Sequence, residues 1–147
     1  MKRKTLYVIL FFVMLFIIGG SIGLYMYNKP VKNFAESEAE ITLTSKDLFN
    51  AFTNDQAQAS SKYVSEDKTI QIKGKILDIT QNAEGITNIL IDVADPEGDI
   101  SCTLIKEEAQ KAKKYKAGNM ITLKGQCTGY QELINKEVIL IGCGIVE

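Results

Sequence analysis

The sequence predicts a mainly β protein built around a small closed barrel of five strands, with one helix between the third and fourth strands. Three observations predict this class. Five short segments from Thr69 onward have strand patterns: the first four alternate apolar and polar residues, as half-buried strands do, and the last is almost continuously apolar. Between the third and fourth segments, the composition changes to good helix formers. An uncharged apolar run near the N-terminus predicts a membrane-spanning helix ahead of the barrel.

Residues 1–27 are predicted to be a transmembrane anchor. Three basic residues at positions 2–4 precede an uncharged run from Leu6 to Tyr27. As a helix rising about 1.5 Å per residue, this run can cross the roughly 30 Å hydrocarbon core of a bilayer. Because basic flanks stay in the cytoplasm, we expect a single-pass protein of the cell membrane with its C-terminal domain outside the cytoplasm.

A cleaved signal peptide is the alternative interpretation of the same residues. The most apolar part, Leu6 to Ile18, has the length of a signal-peptide hydrophobic region, and Ser21 and Gly23 are small enough for a cleavage site. The domain would then be exported rather than anchored. No cysteine directly follows the apolar run, which excludes a lipid-modified cleavage site there.

Residues 28–43 are predicted to be an extended linker. Lys29-Pro30 would break the first helix, and the glutamates that follow alternate with small residues without forming an apolar face. Residues 44–147 then form the barrel domain together with an N-terminal helix.

This N-terminal helix is predicted over residues 44–59. Its first residue, a threonine, can cap it, with Asp47 three residues later as in a capping box. Leu48, Phe49 and Phe52 form one apolar stripe. The stripe favours packing over one end of the barrel, and a partner-binding helix is the alternative.

The five predicted strands are separated by turns rich in glycine, asparagine, aspartate and proline. In the first strand, Ile70, Ile72 and Ile76 share one face, and Gly74 indicates a bend of the kind that closes small barrels. The last strand is almost continuously apolar, as expected where both faces are covered. The predicted strands are 69–80, 86–94, 100–105, 120–128 and 136–146; the predicted helix is 106–116, and 128–135 is a loop.

Three strands, a helix and two strands is the order of the oligonucleotide/oligosaccharide-binding fold, or OB-fold. Three strings in these strands also resemble the bacterial OB-fold family described as tRNA-anticodon-like (tRNA_anti-like). The resemblance implies a membrane-anchored member of that family. The strings are IQIKGKI at 70–76, KGQCTG at 124–129 and IGCGI at 141–145. The preceding helix and Tyr63 resemble the lead-in segment of the family, so the resemblance covers roughly residues 45–147. It implies the fold and an association with nucleic acid, and it carries no catalytic motif.

The three cysteines, Cys102, Cys127 and Cys143, are all expected on inward faces. No Cys-x-x-Cys pair and no histidine occurs, so no metal site is predicted. In an exported barrel, one disulfide can form, and Cys127–Cys143 is the first choice because the fourth and fifth strands are neighbours. Cys102–Cys143 is the second choice, and three buried thiols are the alternative.

Nucleic-acid binding is the activity that the fold suggests most directly. OB barrels bind single strands on the outer face of the second and third strands, using aromatic and basic residues. Here that face has neither, and the acidic turn beside it would repel phosphate. We expect this turn to be a solvated hairpin rather than a calcium site. The face carries Asn88, Leu90, Asp92, Ser101, Thr103 and Ile105; the turn region carries Asp95, Glu97 and Asp99.

Two other features favour a nucleic-acid ligand. The predicted helix 106–116 is rich in lysine, and Tyr130 lies in a loop that often touches ligand in this fold. The candidate ligand-binding residues are Lys111, Lys113, Lys114 and Tyr130. The alternatives are a solvated helix face for the lysines and a loop anchor for the tyrosine.

The predicted function is a membrane-anchored, extracytoplasmic binding or assembly module, attached through residues 6–27 and without catalytic activity or cofactor. A protein or an envelope glycan is the favoured partner, and a single-stranded nucleic acid is the alternative. The balance of Lys+Arg 17 against Asp+Glu 18 provides no global field that would recruit polyanions. Catalysis has no support, because the chain lacks histidine and its Gly142-Cys143-Gly144 string lies in a strand rather than opening a helix.

Overall fold

The computed structural model describes residues 3–28 and 33–147. The chain divides into two compact units, Met1–Val31 and Lys32–Glu147. Each unit is described here by itself. The predicted helix break at Lys29-Pro30 lies outside the described residues.

The first unit contains one helix, α1 (Arg3–Tyr27). Its section Tyr7–Tyr27 has a mean hydropathy of 2.5 and is long and apolar enough to cross a membrane. Membrane anchors share this property with signal sequences. The helix is therefore consistent with both interpretations of the N-terminal run.

The second unit is a closed barrel of five strands with one additional strand, and its element order confirms the predicted OB-fold. Around the barrel the strands follow the order β2-β3-β4-β6-β5, and β5 pairs back onto β2. Strands β4 and β6 are parallel, and the other barrel neighbours are antiparallel. The strands are β1 (Ile41–Thr44), β2 (Ile70–Gln81), β3 (Thr87–Asp92), β4 (Gly98–Leu104), β5 (Met120–Glu132) and β6 (Lys136–Ile145); the helices are α2 (Ser45–Asn54), α3 (Gln56–Tyr63) and α4 (Ala109–Ala112).

The barrel interior is filled by the inward residues that the alternation predicted. Ile70, Ile72 and Ile76 of β2 are each at most 2% exposed. Gly74 lies between them because a Cβ there would overlap the side chains of Ile91 and Ser45. Glycine is therefore required at position 74 because β2, β3 and α2 approach one another closely there.

The single helix predicted over residues 44–59 is wrong: two helices occupy this region. Thr44 does cap the first, since its Oγ1 accepts a hydrogen bond from Asp47 N at 3.1 Å. Asp55 interrupts the helix, because its side chain accepts from Gln58 N at 3.0 Å and so caps α3. Aspartate favours this capping position over a helix interior.

The prediction of an extended linker is wrong for residues 33–43. Phe34 is only 1% exposed, and β1 pairs in parallel with the first residues of β2. A Cβ on Gly144 would overlap Ala35, so this segment lies directly on β6. Pattern analysis missed the contact because the alternation Ile41-Thr42-Leu43-Thr44 is only four residues long and follows a polar stretch.

The helix predicted over residues 106–116 is much shorter in the structure. A 3₁₀ turn (Lys106–Glu108) leads into the four-residue α4, and residues 113–115 continue with i→i+3 hydrogen bonds. Within this turn, Lys111 forms an ion pair with Glu108, three residues earlier, at 2.9 Å. The tighter turn brings Glu108 to the barrel, where it is buried.

The loop predicted at residues 128–135 is mostly strand. β5 continues to Glu132, which pairs with Lys136 of β6, so only residues 133–135 form the turn. Irregularities in the β5–β6 register at Gly125 and Thr128 interrupt the regular alternation. The alternation of apolar and polar residues is therefore lost in the sequence before β5 ends.

Candidate functional site

The two ends of the barrel carry different charges. At one end, which we call the acidic end, β3 finishes and β4 and β6 begin. Helix α2 closes it: Ser45 Oγ donates to the Asp92 carbonyl at 2.8 Å, and Phe49 fills the space over Gly98. The acidic end is defined by five carboxylates on the β3–β4 loop and the β5–β6 hairpin: Asp95, Glu97, Asp99, Glu132 and Glu137.

Asp99 is the most constrained of these carboxylates. Its Oδ1 is buried and has no hydrogen-bond donor among the described residues. It faces Glu137 across the β4–β6 pairing. Burial first, and repulsion from Glu137 second, raise the pKa of Asp99 above its ordinary value. This end therefore holds negative charge that the chain itself does not neutralise at that oxygen.

A cavity of about 350 Å³ opens at the acidic end. It lies between the β3–β4 loop and Asn135, and the half-exposed Leu77 provides an apolar wall. Its other lining residues come from positions 92 and 94–99. The site thus combines carboxylates with an apolar surface.

At the opposite end, which we call the lysine end, β2 finishes, β3 begins, and the segment from the 3₁₀ turn to residue 116 lies alongside. A smaller cavity of about 170 Å³ is lined there by Ile79, Thr87, Ala112, Lys113 and Tyr115, among others. The lysines of this segment are Lys106, Lys111, Lys113, Lys114 and Lys116. The aromatic ring of Tyr115 and the amine of Lys113 therefore lie together; the sequence indicated the lysine but not the tyrosine.

Two of the predicted ligand-binding lysines are engaged within the chain. Lys111 Nζ donates to Glu108 Oε1 at 2.9 Å, and this hydrogen bond raises the pKa of Lys111. Lys114 lies 3.6 Å from Glu147. Glu108 was missed by sequence analysis, yet its Oε2 also accepts from Ile145 N at 3.2 Å. It connects the short turn to the last strand of the barrel.

Tyr130 lies at the acidic end, far along β5 from the lysine end. Its ring stacks on Phe52 with centroids 5.9 Å apart, and its hydroxyl donates to Glu132 at 3.4 Å. Burial, followed by the charge of Glu132, raises the pKa of Tyr130. The structure therefore does not bring Tyr130 together with Lys111, Lys113 and Lys114. One ring face is already occupied by Phe52, as in a loop anchor.

Of the six residues predicted on the outer face of β3 and β4, two are buried and four are partly exposed. Asn88 Nδ2 donates to Ser101 Oγ at 2.8 Å, which satisfies both side chains across the strand pair. Ser101 is 7% exposed, and Ile105, predicted to point outward, is 8% exposed. Neither strand contributes an aromatic, lysine or arginine side chain here.

All three cysteines are buried and free in the structure. A hydrogen bond with Cys143, and then burial, raise the pKa of Cys102 well above its ordinary value, and burial raises the pKa of Cys127 to about 11. Thiols of this kind are poor nucleophiles at neutral pH. The Cys127–Cys143 disulfide stays a prediction; peptide mapping of membrane-extracted protein without reductant distinguishes it from Cys102–Cys143 and from three thiols.

Within residues 3–28 and 33–147, no group of three or more histidine, cysteine, aspartate or glutamate side chains is arranged to hold a metal ion. The acidic hairpin accordingly offers no preformed calcium cage in the part of the chain that the structure describes. Its carboxylates are spread around the end of the barrel rather than converging.

The family described as tRNA_anti-like matches residues 1–143, almost the whole chain. The chain therefore belongs to this family, which confirms the resemblance seen in the strand motifs. The match also extends beyond them to the N-terminal helix. None of the curated proteins matches the chain.

Among solved structures, the chain is similar to a lipoprotein from Klebsiella pneumoniae that is provisionally described as nucleic acid-binding. The TM-score is 0.55 at 19% identity, over 72% of this chain and 92% of that chain. At this identity the likeness concerns the fold alone.

Two weaker similarities are to the S. pombe Stn1–Ten1 complex and to Entamoeba histolytica asparaginyl-tRNA synthetase with asparaginyl-adenylate. Their TM-scores are 0.39 and 0.38, at 19% and 15% identity. Each covers 54% of this chain, with 58% and 20% of the other chain respectively. They carry no argument about function.

Proposed function

We propose that this member of the tRNA_anti-like family is a non-enzymatic binding or assembly module. It is held at the membrane through residues 6–27, with the barrel outside the cytoplasm, and it binds a protein or an envelope glycan through one end of the barrel. The observation that carries this proposal is the outer face of β3 and β4. Without aromatic or basic side chains there, a single strand has neither a stacking platform nor a positive groove.

The acidic end supports the same proposal. Its five carboxylates lie around the β5–β6 hairpin, and the corresponding loop between the fourth and fifth barrel strands commonly contacts ligand in OB barrels. Phosphate would be repelled from this end, whereas a cationic or uncharged ligand would not. The high pKa values of Cys102 and Cys127 also argue against a cysteine nucleophile.

Single-stranded nucleic acid is the second candidate, and one observation favours it. Lys113 and Tyr115 line the same small cavity at the lysine end, so a base could stack where a phosphate is neutralised. The name of the Klebsiella lipoprotein points to the same class of ligand. In this version, the site would be the lysine end and would not include Tyr130.

The deciding experiment is a titration of the full chain, in nanodiscs of neutral lipid, with labelled single-stranded DNA and RNA at low and moderate salt. We expect no binding at low salt, where electrostatic attraction is least screened. Micromolar binding that weakens steeply with salt would replace the proposal with its alternative.

Matched variants make this titration specific. If nucleic acid binds at the lysine end, Lys113→Ala combined with Lys114→Ala weakens binding, whereas Tyr130→Ala does not. The charge-matched control is Lys46→Ala combined with Lys73→Ala, which removes two exposed lysines elsewhere. Equal losses in both pairs would indicate a non-specific charge effect. A soluble fragment for the same work has to begin no later than Asn33, because Phe34 and β1 pack on the barrel.

The membrane attachment has a separate test. The intact mass of the protein extracted from membranes distinguishes the full chain from one cleaved near Ser21 or Gly23. Protease added to intact cells then tests the topology, since a barrel outside the cytoplasm is degraded and one inside is protected.

A further inference from the structure

The turn of the β5–β6 hairpin exposes two adjacent large apolar side chains. Leu133 is 86% exposed and Ile134 is 97% exposed. Within residues 33–147, no other large apolar side chain exceeds the 56% of Met120. Large apolar side chains gain stability when they are buried, and these two residues do not have that gain within the domain. We call these two residues the hairpin tip.

The hairpin tip is held in a fixed place. Glu132 and Lys136 pair directly below it and close the hairpin. Lys136 N donates to the Glu97 carbonyl at 2.8 Å, which attaches the base of the tip to the β3–β4 loop. Tyr130, which precedes the tip on β5, stacks on the buried Phe52 of α2. The tip is therefore presented by an anchored strand pair rather than by a free loop.

The surroundings of the tip are acidic and partly hollow. The carboxylates of the acidic end lie on the loops and strands next to it, and only Lys136, 4.0 Å from Glu97, offsets them with an ion pair among the described residues. Asn135, the residue after the tip, lines the 350 Å³ cavity together with Leu77. The unpartnered Oδ1 of Asp99 adds a carboxylate oxygen that lacks a donor.

We propose that the hairpin tip and the acidic end form a docking surface for a protein segment that presents apolar side chains flanked by lysine or arginine. Burial of Leu133 and Ile134 would supply the affinity, and the carboxylates around them would select a basic rim. Anionic lipid headgroups and nucleic-acid phosphates meet repulsion at this end, which argues against a membrane surface or a nucleic acid as the occupant.

This inference rests on the proposed function, because it names the partner chemistry of the same end of the barrel. The two fail separately. Nucleic-acid binding at the lysine end would overturn the proposed function, whereas the tests below address the hairpin tip alone.

The first test is photo-crosslinking of the full chain in its native membrane. Asn135→benzoylphenylalanine places the reactive group beside the intact tip, and Asn119→benzoylphenylalanine is the matched control at an exposed asparagine away from it. We expect a protein adduct at position 135 only, mapping to a partner segment that contains lysine or arginine. Adducts to lipid, to a second copy of this chain or to a segment without basic residues would overturn the proposal, as would the absence of a protein adduct.

The second test measures affinity with defined probes. The probes are an amphipathic peptide of leucine and lysine, its leucine-and-glutamate counterpart, and anionic phosphatidylglycerol vesicles. We expect the full chain in neutral nanodiscs to bind the lysine peptide alone. Leu133→Ser combined with Ile134→Ser should weaken that binding about tenfold or more, whereas Met120→Ser should leave it unchanged. Binding to the vesicles, or equal binding before and after the tip substitutions, contradicts the proposal.

A charge variant keeps the test independent of the apolar substitutions. Asp95→Asn combined with Glu97→Gln neutralises two carboxylates beside the tip and should lower the affinity for the lysine peptide severalfold. Glu66→Gln combined with Asp67→Asn is the control, because it removes two exposed charges elsewhere. If the control weakens binding as much as the tip-side variant does, the attraction is a general charge effect and the docking surface is wrong.

Discussion

The two ends of the barrel are closed in different ways. The acidic end is covered by the ten-residue α2, whose Phe49 and Phe52 are each 1% exposed. The lysine end is covered by a 3₁₀ turn and the four-residue α4, which contribute the small Ala112 and the buried Glu108. One end thus depends on aromatic packing and the other on a single hydrogen-bonded carboxylate.

At the acidic end, one set of residues stabilises the fold and a different set is exposed to a partner. The aromatic residues beneath it hold the loops in place, and the hairpin tip above it stays in water. Three of its carboxylates have partners within the chain, because Glu97 lies 4.0 Å from Lys136, Glu132 accepts from Tyr130 and Glu137 accepts from Gln131. Asp99 Oδ1 has no donor among the described residues. At the lysine end, charges are used internally: Lys111 and Lys114 both have carboxylate neighbours within the chain. The acidic end differs in exposing the apolar hairpin tip and in holding the unpartnered oxygen of Asp99, and for these reasons we propose it as the interaction surface.

Phe52 provides the strongest test of the difference between the two ends. Phe52→Ala removes a buried ring that stacks on Tyr130 and makes a tilted contact with Tyr63, and we expect a loss of about 3–5 kcal/mol in the free energy of unfolding. Tyr115→Ala at the lysine end removes a half-buried ring and should cost about 1–2 kcal/mol. Urea denaturation of both variants measures the difference. Equal losses would show that the two ends are closed with similar strength.

Glu108 tests how the lysine end is held. Glu108→Ala leaves Ile145 N without its acceptor and Lys111 without its partner, and we expect a loss of about 1–3 kcal/mol. Glu108→Gln retains an oxygen acceptor and should lose less. Lys111→Ala is the control for the exposed partner alone. If Glu108→Ala unfolds no more easily than Lys111→Ala, the hydrogen bond to β6 contributes nothing.

Asp99 gives a pH-dependent test at the acidic end. Its raised pKa means that the folded protein binds the proton more tightly than the unfolded chain, so stability falls as pH rises above the ordinary value of 3.8. Asp99→Asn should therefore be more stable than the wild type at neutral pH, and the difference should vanish below pH 3.8. Thermal melts between acidic and neutral pH measure this, with Asp67→Asn as an exposed control. A gain that persists at low pH would show that the charge is not its cause.

The hairpin tip should have the smallest effect on stability. Leu133→Ser combined with Ile134→Ser is expected to change the free energy of unfolding by less than about 0.5 kcal/mol, because both side chains are already in water. Chemical denaturation measures this change. A large loss would mean that the tip packs on the fold, and it would no longer be available to a partner.

Much of the fold was predictable from local patterns. Alternation in β2, β3 and β4 placed the inward isoleucines correctly, since a strand turns successive side chains to opposite faces. The prediction failed where short segments depend on distant partners. Residues 33–43 have the composition of a linker, and only their contacts with Gly144 and with the first part of β2 show that they belong to the barrel domain. Residues 106–116 have the composition of a longer helix, and the hydrogen bond from Ile145 N to Glu108 comes from a distant part of the chain.

The candidate sites were less predictable than the fold. The sequence indicated the lysine-rich segment and Tyr130, but strand direction puts them at opposite ends of the barrel. The adjacent apolar pair Leu133-Ile134 within a polar loop was visible in the sequence and was not recognised as a surface. Only the hairpin geometry shows that the pair points into water rather than into the core.

By itself, the sequence determined an apolar N-terminal helix, a five-stranded barrel in OB-fold order and the inward position of all three cysteines. These features follow from periodicity, length and turn residues, which act between neighbours along the chain. The tertiary structure decided which charges share an end, which of them are paired and which apolar side chains stay exposed. Those depend on the direction and register of strands that meet from distant parts of the sequence, because an unpaired carboxylate or an exposed leucine is defined by its surroundings.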